Sequence, residues 1–174
     1  MKSIDLDKDI MALRHSAAHL LAHAVSELYP DTLLTIGPTT EEGFFYDLLP
    51  GKNFKEEDLP KIEARMKEIA DRNLPLTHEP MSKDEARKLY KNNRFKLELI
   101  EGIPGDTVGI ARQGDFYDLC RGGHVSSTGL IKNVKLTGIS GSYWRADRKG
   151  QQLQRISGIA FFSPQDLSEY ERKR

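Results

Sequence analysis

Cysteine is almost absent from this sequence: Cys120 is the only one among 174 residues. A single thiol cannot form an internal disulfide, so the disulfide-stabilised scaffolds of small secreted proteins are excluded. The beginning of the chain, residues 1–7, also lacks the apolar core of a signal peptide. Because a lone free thiol is typical of a reducing compartment, we expect the protein to be cytoplasmic.

The sequence also lacks a net charge and a long apolar run. Lys and Arg together number 26, as do Asp and Glu, so the overall charge gives no argument for a polyanionic partner. No apolar run approaches the roughly 20 residues that a membrane-spanning helix needs, and we expect no membrane partner. A hydrophobic fraction of 38% and a charged fraction of 30% are ordinary for a globular protein, here one domain over residues 1–174.

Charge is nevertheless unevenly distributed along the chain. Two stretches, 87–96 and 145–155, are basic. The aromatic residues that they contain or adjoin are Tyr90, Phe95, Tyr143 and Trp144. Basic groups for phosphates and rings for unpaired bases are typical of proteins that bind a single-stranded nucleic-acid end. Two solvated faces with core aromatics explain the same pattern equally well.

Apolar periodicity predicts helices and strands in an irregular order. Helices are expected at 7–28, 55–73, 83–90 and from about 164. Strands are expected at 33–36, 43–48, 76–81, 107–113, 116–119, 134–144 and 152–162. Because regular β-α-β alternation is missing, the pattern favours an α+β fold, with a mixed, mainly antiparallel sheet packed with the long N-terminal helix.

The most distinctive spacing belongs to two pairs of residues that can ligate a metal or transfer protons. His15 and His19 lie four residues apart on the long predicted helix, so both imidazoles project from one face. Cys120 and His124 repeat that spacing about a hundred residues later. The paired spacing suggests one site that is closed by folding.

Three interpretations of these four residues compete. Thiolate and imidazole suit zinc, and two histidines four residues apart on a helix are familiar zinc ligands. The same groups could form an acid–base cluster that positions water without a metal. They could also be structural residues, satisfied by hydrogen bonds or buried as a small hydrophobe. We interpret His23, which rotates off the shared face, as structural, and His78 has no partner nearby in sequence.

Six segments carry a resemblance to a known family. They are RHSAAHLLAHAV at 14–25, IGP at 36–38, GFFYD at 43–47, DLCRGGHV at 118–125, GSYWR at 141–145 and LQRISGIA at 153–160. In this order they resemble the editing domain of threonyl-tRNA synthetase, within the threonyl/alanyl-tRNA editing superfamily. The recognisable core covers about 8–162, and residues 163–174 are expected to form a terminal helix. Alanyl-tRNA editing domains share the two pairs of candidate ligands but not the residues that flank them.

The resemblance implies hydrolysis of Ser-tRNA(Thr), with Thr-tRNA(Thr) spared. One missing methyl group changes binding by only about 1–3 kcal/mol, so a synthetic pocket built for threonine cannot exclude serine well enough. A second pocket that is too small for threonine supplies the missing discrimination. The implied partners are the serine-carrying 3′ end of tRNA(Thr) and a synthetase catalytic domain on the same or another chain.

The resemblance also implies roles for individual residues. The catalytic set is His15, His19, Lys96, Cys120 and His124, and the substrate-binding set is Tyr46 and Asp118. His15, with Lys96, would orient or deprotonate the water that attacks the seryl ester, and Lys96 or a backbone N–H would stabilise the oxyanion. Asp118 would hold the substrate ammonium, while Tyr46 and the Cys120 region shape the pocket.

The sequence is compatible with more than one cofactor and with more than one chain context. Because a lysine and an aspartate offer a metal-free route, no cofactor is favoured, although zinc is an alternative. Its ligands would be His15, His19, Cys120 and His124. Two other hypotheses for the function are a zinc-dependent alanyl-type trans-editing hydrolase and a catalytically silent tRNA-binding module. The chain is either a freestanding trans-editing protein or part of a synthetase.

Two residues depart from the pattern of the family that the chain resembles. Gly123 stands where that family commonly has proline, which should loosen the loop without removing a functional side chain. Ala17 stands where a cysteine is frequent, so Cys120 is unambiguous as the thiol of the site.

Overall fold

The computed structural model describes residues 5–173 as an α+β structure. The helices are α1 (Ile10–Leu28), α2 (Asp58–Asp71), α3 (Lys83–Leu89), α4 (Arg94–Gly102) and α5 (Pro164–Arg172). The strands are β1 (Leu33–Leu34), β2 (Gly43–Leu49), β3 (Thr77–Ser82), β4 (Thr107–Gln113), β5 (Phe116–Leu119), β6 (Asn133–Tyr143) and β7 (Gln152–Phe161). No helix within the described range combines the length and the apolar character needed to cross a membrane. The predicted domain over 1–174 includes residues 1–4 and 174, which lie outside that range.

The strands form two sheets. The larger sheet has the order β1-β2-β7-β6, and the smaller has the order β3-β4-β5. Each strand pair between residues 5 and 173 is antiparallel. The predicted α+β class, with mainly antiparallel strands and a long N-terminal helix, is confirmed, although the strands divide between two sheets.

Helix α1 lies at the centre of the larger core because small or apolar residues occupy most of its surface. Ala17, Ala18 and Ala22 are fully buried, and their small side chains let neighbouring backbones come close. Helix α2 and strands β2 and β7 pack around α1, and they contribute buried residues such as Phe44 and Ile156. A helix that is apolar on nearly all sides is stable only inside a core, so α1 holds any polar group that it carries in a fixed position.

The start of α1 differs from the prediction. The periodicity predicts a helix from residue 7, whereas α1 begins at Ile10 after a separate 3-10 turn at Leu6–Lys8. Asp9 has extended backbone, and its carboxylate accepts hydrogen bonds from the N–H groups of Met11 and Ala12. An aspartate at this N-cap position satisfies amides that the helix leaves unpaired, so it fixes where the helix begins.

Helix α4 lies where the sequence predicts no regular element. Asn93 caps it by accepting hydrogen bonds from the N–H groups of Phe95 and Lys96, and charged residues interrupt its apolar periodicity. Phe95 is 1% exposed and Tyr90 is 7% exposed, so neither ring is available to stack on a base. For the first basic stretch, the interpretation as core aromatics is therefore confirmed. The other predicted elements agree within a few residues, except that only Leu33–Leu34 of 33–36 form a strand.

Gly43 provides a test of the pairing between β2 and β7. A Cβ atom at Gly43 would lie 1.9 Å from the carbonyl oxygen of Gly158 on the neighbouring strand. Because backbone cannot move aside as a flexible side chain can, Gly43→Ala should lower the free energy of unfolding by about 2–3 kcal/mol in urea denaturation. Gly141→Ala is the matched control, since a Cβ there has nothing within 4 Å. Equal stability of the two variants would contradict the pairing.

Candidate active site

The two predicted pairs of residues come together in space. Nε2 of His15 and Nε2 of His19 are 3.2 Å apart on α1, and Sγ of Cys120 is 3.2 Å from Nε2 of His124. The ring centroids of His15 and His124 are 4.5 Å apart, so the second pair lies directly against the first. All four ligand atoms lie within 4.8 Å of one another. Folding therefore gathers these four residues into one cluster, which we call the His/Cys cluster.

His19 is the buried member of the His/Cys cluster. Its Nδ1 lies 2.9 Å from Oδ2 of Asp118. Burial lowers the pKa of His19, but hydrogen bonds and charge from Asp118 and Cys120 outweigh burial and raise the pKa to about 9. At neutral pH His19 is therefore an imidazolium, and both ring nitrogens carry hydrogens. Its Nε2–H can donate to His15 or to Cys120.

Cys120 is a thiolate at neutral pH. Burial raises the pKa of its thiol, but hydrogen bonds from His124, His15 and His19 outweigh burial and lower it to about 4. The backbone N–H of Gly122 also donates to Sγ, at 3.0 Å. A low pKa of this kind identifies a functional thiol more often than a structural one. The pKa of His124 is lowered chiefly by burial, so this ring stays neutral beside the sulfur.

A buried ion pair between Lys96 and Asp118 lies on the inner side of the His/Cys cluster, next to His19. Nζ of Lys96 lies 2.6 Å from Oδ1 of Asp118 and 3.1 Å from the Tyr46 hydroxyl, which donates to Oδ2 of Asp118 at 2.8 Å. Burial alone would raise the pKa of Asp118, but Lys96 and His19 hold it well below its usual range. Lys96, Tyr46 and Asp118 are all at most 2% exposed. The predicted substrate-binding residues are thus joined to the predicted catalytic ones.

The bonds of Asp118 bear on its predicted role. Its oxygens accept hydrogen bonds from Lys96, His19, Tyr46 and the backbone N–H of Leu119. Four donors match the capacity of a carboxylate. Two predicted roles stay predictions: binding of a substrate ammonium by Asp118 and stabilisation of an oxyanion by Lys96. Either role would require one of these hydrogen bonds to Asp118 to break.

Two histidines outside the predicted set have different surroundings. His23 lies away from the cluster, where its ring stacks on Phe116 and Nδ1 accepts a hydrogen bond from Gln113 at 2.9 Å. These contacts agree with the structural interpretation of His23. His78, by contrast, lies beside the cluster, with Nε2 2.9 Å from the carbonyl oxygen of Cys120. Pairing of β3 with β4 and of β4 with β5 brings His78 next to Cys120, and no local sequence signal reveals this contact.

Gly122 and Gly123 form the turn between Cys120 and His124. Their φ angles are 102° and 88°, in the region that residues other than glycine rarely adopt. Proline holds φ near −65°, so a proline in place of Gly123 would force a different turn. The expected loosening of the loop stays a prediction, but the change of residue alters its backbone geometry.

The His/Cys cluster could hold a metal ion. Three imidazoles and a thiolate are a donor set that zinc prefers, and tetrahedral zinc would separate its ligand atoms by about 3.3–3.6 Å. The two separations of 3.2 Å lie close to that range, whereas the overall spread of 4.8 Å would have to contract by roughly 1 Å. His19 also bonds a carboxylate through its second nitrogen, as zinc-binding histidines usually do.

The charge of Asp118 can be tested through stability. Asp118→Asn leaves the buried Lys96 ammonium without its counter-charge, so we expect urea denaturation to show a loss of about 3–5 kcal/mol. Asp47→Asn is the matched control, because its partner Arg155 has a side chain that is 36% exposed and can turn to water. A loss no larger than that of the control would contradict a buried, charge-dependent pair.

The pKa values of His19 and Cys120 predict opposite effects of pH. The raised pKa of His19 gives stability that is complete below about 6.5 and is lost as pH rises through about 9. The lowered pKa of Cys120 gives stability that is complete above about 9 and is lost as pH falls toward about 4. Between pH 6.5 and 9 each contribution changes by about 1.4 kcal/mol per pH unit with opposite sign, so they cancel.

We therefore expect the chelator-treated protein to show a nearly constant free energy of unfolding between pH 6.5 and 9. Cys120→Ala removes the compensating group, so this variant should lose stability as pH rises above 6.5, because His19 keeps its bond to Asp118. Urea denaturation across this pH series measures both profiles. A flat profile for Cys120→Ala would show that the bond to Asp118 alone does not keep His19 protonated in the folded variant.

Comparison with known proteins shows what this site is similar to. A family model described as the threonyl and alanyl tRNA synthetase second additional domain matches residues 108–157, which include Asp118, Cys120 and His124. Helix α1, with His15 and His19, lies outside the matched range. Similarity over the rest of the chain comes from individual relatives.

The relatives are threonine–tRNA ligases, and each is much longer than this chain. That of Rubrobacter xylanophilus is 49% identical over 169 residues, covering 97% of this chain and 26% of the relative. That of Thermotoga neapolitana is 51% identical over 160 residues, covering 90% and 25%. Threonine–tRNA ligase 1 of Bacillus subtilis is 47% identical over 169 residues, covering 95% and 26%. The chain spans about a quarter of the length of these relatives. Its similarity to them, together with the match of residues 108–157 to the threonyl and alanyl tRNA synthetase second additional domain, confirms the resemblance in its motifs.

Proposed function

We propose that this chain hydrolyses the ester bond of Ser-tRNA(Thr) and spares Thr-tRNA(Thr). The observation that carries the proposal is the His/Cys cluster, in which a thiolate, an imidazolium and two further imidazoles meet within 4.8 Å. A chain similar to threonine–tRNA ligases would find its substrate among the products of such a ligase. The partners that we propose are the 3′ end of tRNA(Thr), carrying serine, and a synthetase catalytic domain, both in the cytoplasm.

The exposed members of the site suggest where the substrate enters. His15, Cys120 and His124 are half-buried, whereas His19 lies beneath them. An open cleft of about 600 Å³ borders His15 and is also lined by Arg121. The 3′ end of a tRNA would enter through this cleft, where Arg121 can meet a phosphate. Tyr46, below the cluster, would limit the depth available to the amino-acid side chain.

His15 is the residue that we assign to the attacking water. In the tautomer in which Nε2 of His15 carries no hydrogen, and with Nε2–H of His19 donating to the Cys120 sulfur, Nε2 of His15 can accept a proton. The water oxygen then forms a bond with the ester carbonyl carbon, and its proton moves to His15. Collapse of the tetrahedral intermediate breaks the bond to the ribose oxygen, which takes the proton back and releases serine and tRNA.

Asp118 and Lys96 keep His19 charged and oriented for this step. Asp118 holds the His19 ring through Nδ1, and the Lys96 ammonium 2.6 Å away keeps Asp118 ionised. His19 therefore stays charged and oriented without a reorganisation cost during the reaction. In this arrangement a backbone N–H of the turn at 121–124 meets the oxyanion, and Lys96 acts through Asp118.

We propose that the reaction needs no resident metal. Lys96 and Asp118 offer a metal-free route, because Lys96 keeps Asp118 ionised and Asp118 holds His19 through Nδ1. If zinc is bound, it would be held by His15, His19, Cys120 and His124, and it would supply Lewis-acid polarisation of the ester carbonyl. Metal analysis of chelator-treated protein, together with an activity assay, decides between these routes.

A second candidate is a zinc-dependent hydrolase of the alanyl type, and the fit of the His/Cys cluster to zinc favours it. The two candidates differ in the tRNA that they accept. Deacylation of Ser-tRNA(Ala) that is faster than that of Ser-tRNA(Thr), and that is lost with chelator, would support the alanyl type. Salt-sensitive tRNA binding without deacylation would instead identify a silent binding module.

Deacylation assays test the proposed function directly. We expect rapid loss of serine from Ser-tRNA(Thr) and little loss of threonine from Thr-tRNA(Thr), because the pocket excludes the extra methyl group. His15→Ala should lower kcat by about 100-fold or more, since it removes the proton acceptor. His23→Gln is the matched control on the same helix and should keep its kcat. Equal rates for the two substrates would contradict the proposal.

A further inference from the structure

The backbone of Cys120 is held on both sides of the residue. Its N–H donates to the carbonyl oxygen of Gly109 at 2.9 Å, and its carbonyl oxygen lies 2.9 Å from Nε2 of His78. A carbonyl oxygen can only accept, so Nε2 of His78 carries the hydrogen and donates it. Cys120 is thus anchored from two strands, β4 and β3, at the point where the chain leaves β5.

Gly109 makes the contact between His78 and Cys120 sterically feasible. A Cβ atom at Gly109 would lie 2.3 Å from the Cys120 carbonyl oxygen and 2.5 Å from Nε2 of His78. Both separations are far below van der Waals contact, so any larger residue would push the ring and the carbonyl apart. The missing side chain at Gly109 therefore opens the space in which the hydrogen bond forms.

The turn after Cys120 is otherwise weakly constrained. Gly122 and Gly123 both have positive φ, and glycine has no side chain to restrict neighbouring conformations. A Cβ atom on Gly122 would lie 3.7 Å from ring atoms of His78, so the imidazole lies alongside the turn. Gly122 is also the residue whose N–H donates to the Cys120 sulfur. His78 thus touches the turn that holds this sulfur.

We propose that His78 is a positioning residue, which anchors the Cys120 carbonyl and thereby keeps the Gly122 N–H directed at the Cys120 sulfur. His78 is exposed and does not take part in the bond changes of hydrolysis. Its effect on turnover rests on the proposed function, whereas its effect on the turn does not. Small displacements of a reacting group cost large factors in rate, so loss of the anchor should be visible in kcat.

Three variants separate the hydrogen bond from the ring. His78→Phe keeps a ring but has no donor, His78→Ala removes both, and His78→Gln offers an amide N–H at similar reach. Thr77→Ala is the matched control, because Thr77 is exposed on the same strand and points to the opposite face. Far-UV circular dichroism and urea denaturation confirm that each variant is folded.

The first measurement is the backbone amide signal of Gly122 in ¹⁵N-labelled protein, which requires no substrate. His78→Phe and His78→Ala should speed the exchange of this amide with water, whereas His78→Gln and Thr77→Ala should leave its exchange rate close to that of the wild type. The second measurement is deacylation of Ser-tRNA(Thr). His78→Phe should lower kcat by about tenfold with KM changed less than about twofold, and His78→Gln should restore kcat.

The two measurements test the role of His78 and the proposed function independently. An unchanged exchange rate of the Gly122 amide in His78→Phe overturns the anchoring role, whatever the activity. A glutamine variant as impaired as the phenylalanine variant also overturns it, because the hydrogen bond would then not matter. If the wild type deacylates no aminoacyl-tRNA, the proposed function is wrong, and the amide measurement still decides the role of His78.

Discussion

The carboxylate of Asp118 is the group on which the rest of the site depends. It is buried at 1% exposure and accepts hydrogen bonds from Lys96, His19, Tyr46 and a backbone N–H. A buried charge is costly unless it is paired and hydrogen-bonded, so the loss of any of these partners should lower the stability of the fold. The same requirement fixes the orientation of His19 and, through it, the His/Cys cluster.

Several parts of the fold meet at this carboxylate. Helix α1 brings His19, β2 brings Tyr46, α4 brings Lys96, and β5 brings Asp118 itself. Strand β2 belongs to the larger sheet and β5 to the smaller, so the buried bonds also link the two sheets. The site is thus supported by helices and strands from several parts of the chain, and its least constrained segment is the glycine turn after Cys120.

Much of this arrangement is visible in the sequence, because some signals are local. The spacing of His15 and His19 requires only a helix, and the apolar positions of α1 reveal that helix. Lys96 lies on a helix whose periodicity is hidden by charges, so its element is not predicted although the residue is. The contact of His78 depends on strand register and on an absent side chain at Gly109, and neither leaves a pattern along the chain.

The charged groups at the centre of the site have a collective consequence. Two are cationic, Lys96 and the His19 imidazolium, and two are anionic, Asp118 and the Cys120 thiolate. Their sum is zero, so the centre neither attracts nor repels a nucleic-acid backbone at long range. Diffusional capture of a polyanion must therefore rely on surface cations or on another domain. Ionic strength should then change the rate of association with the nucleic acid rather than the rate of bond cleavage.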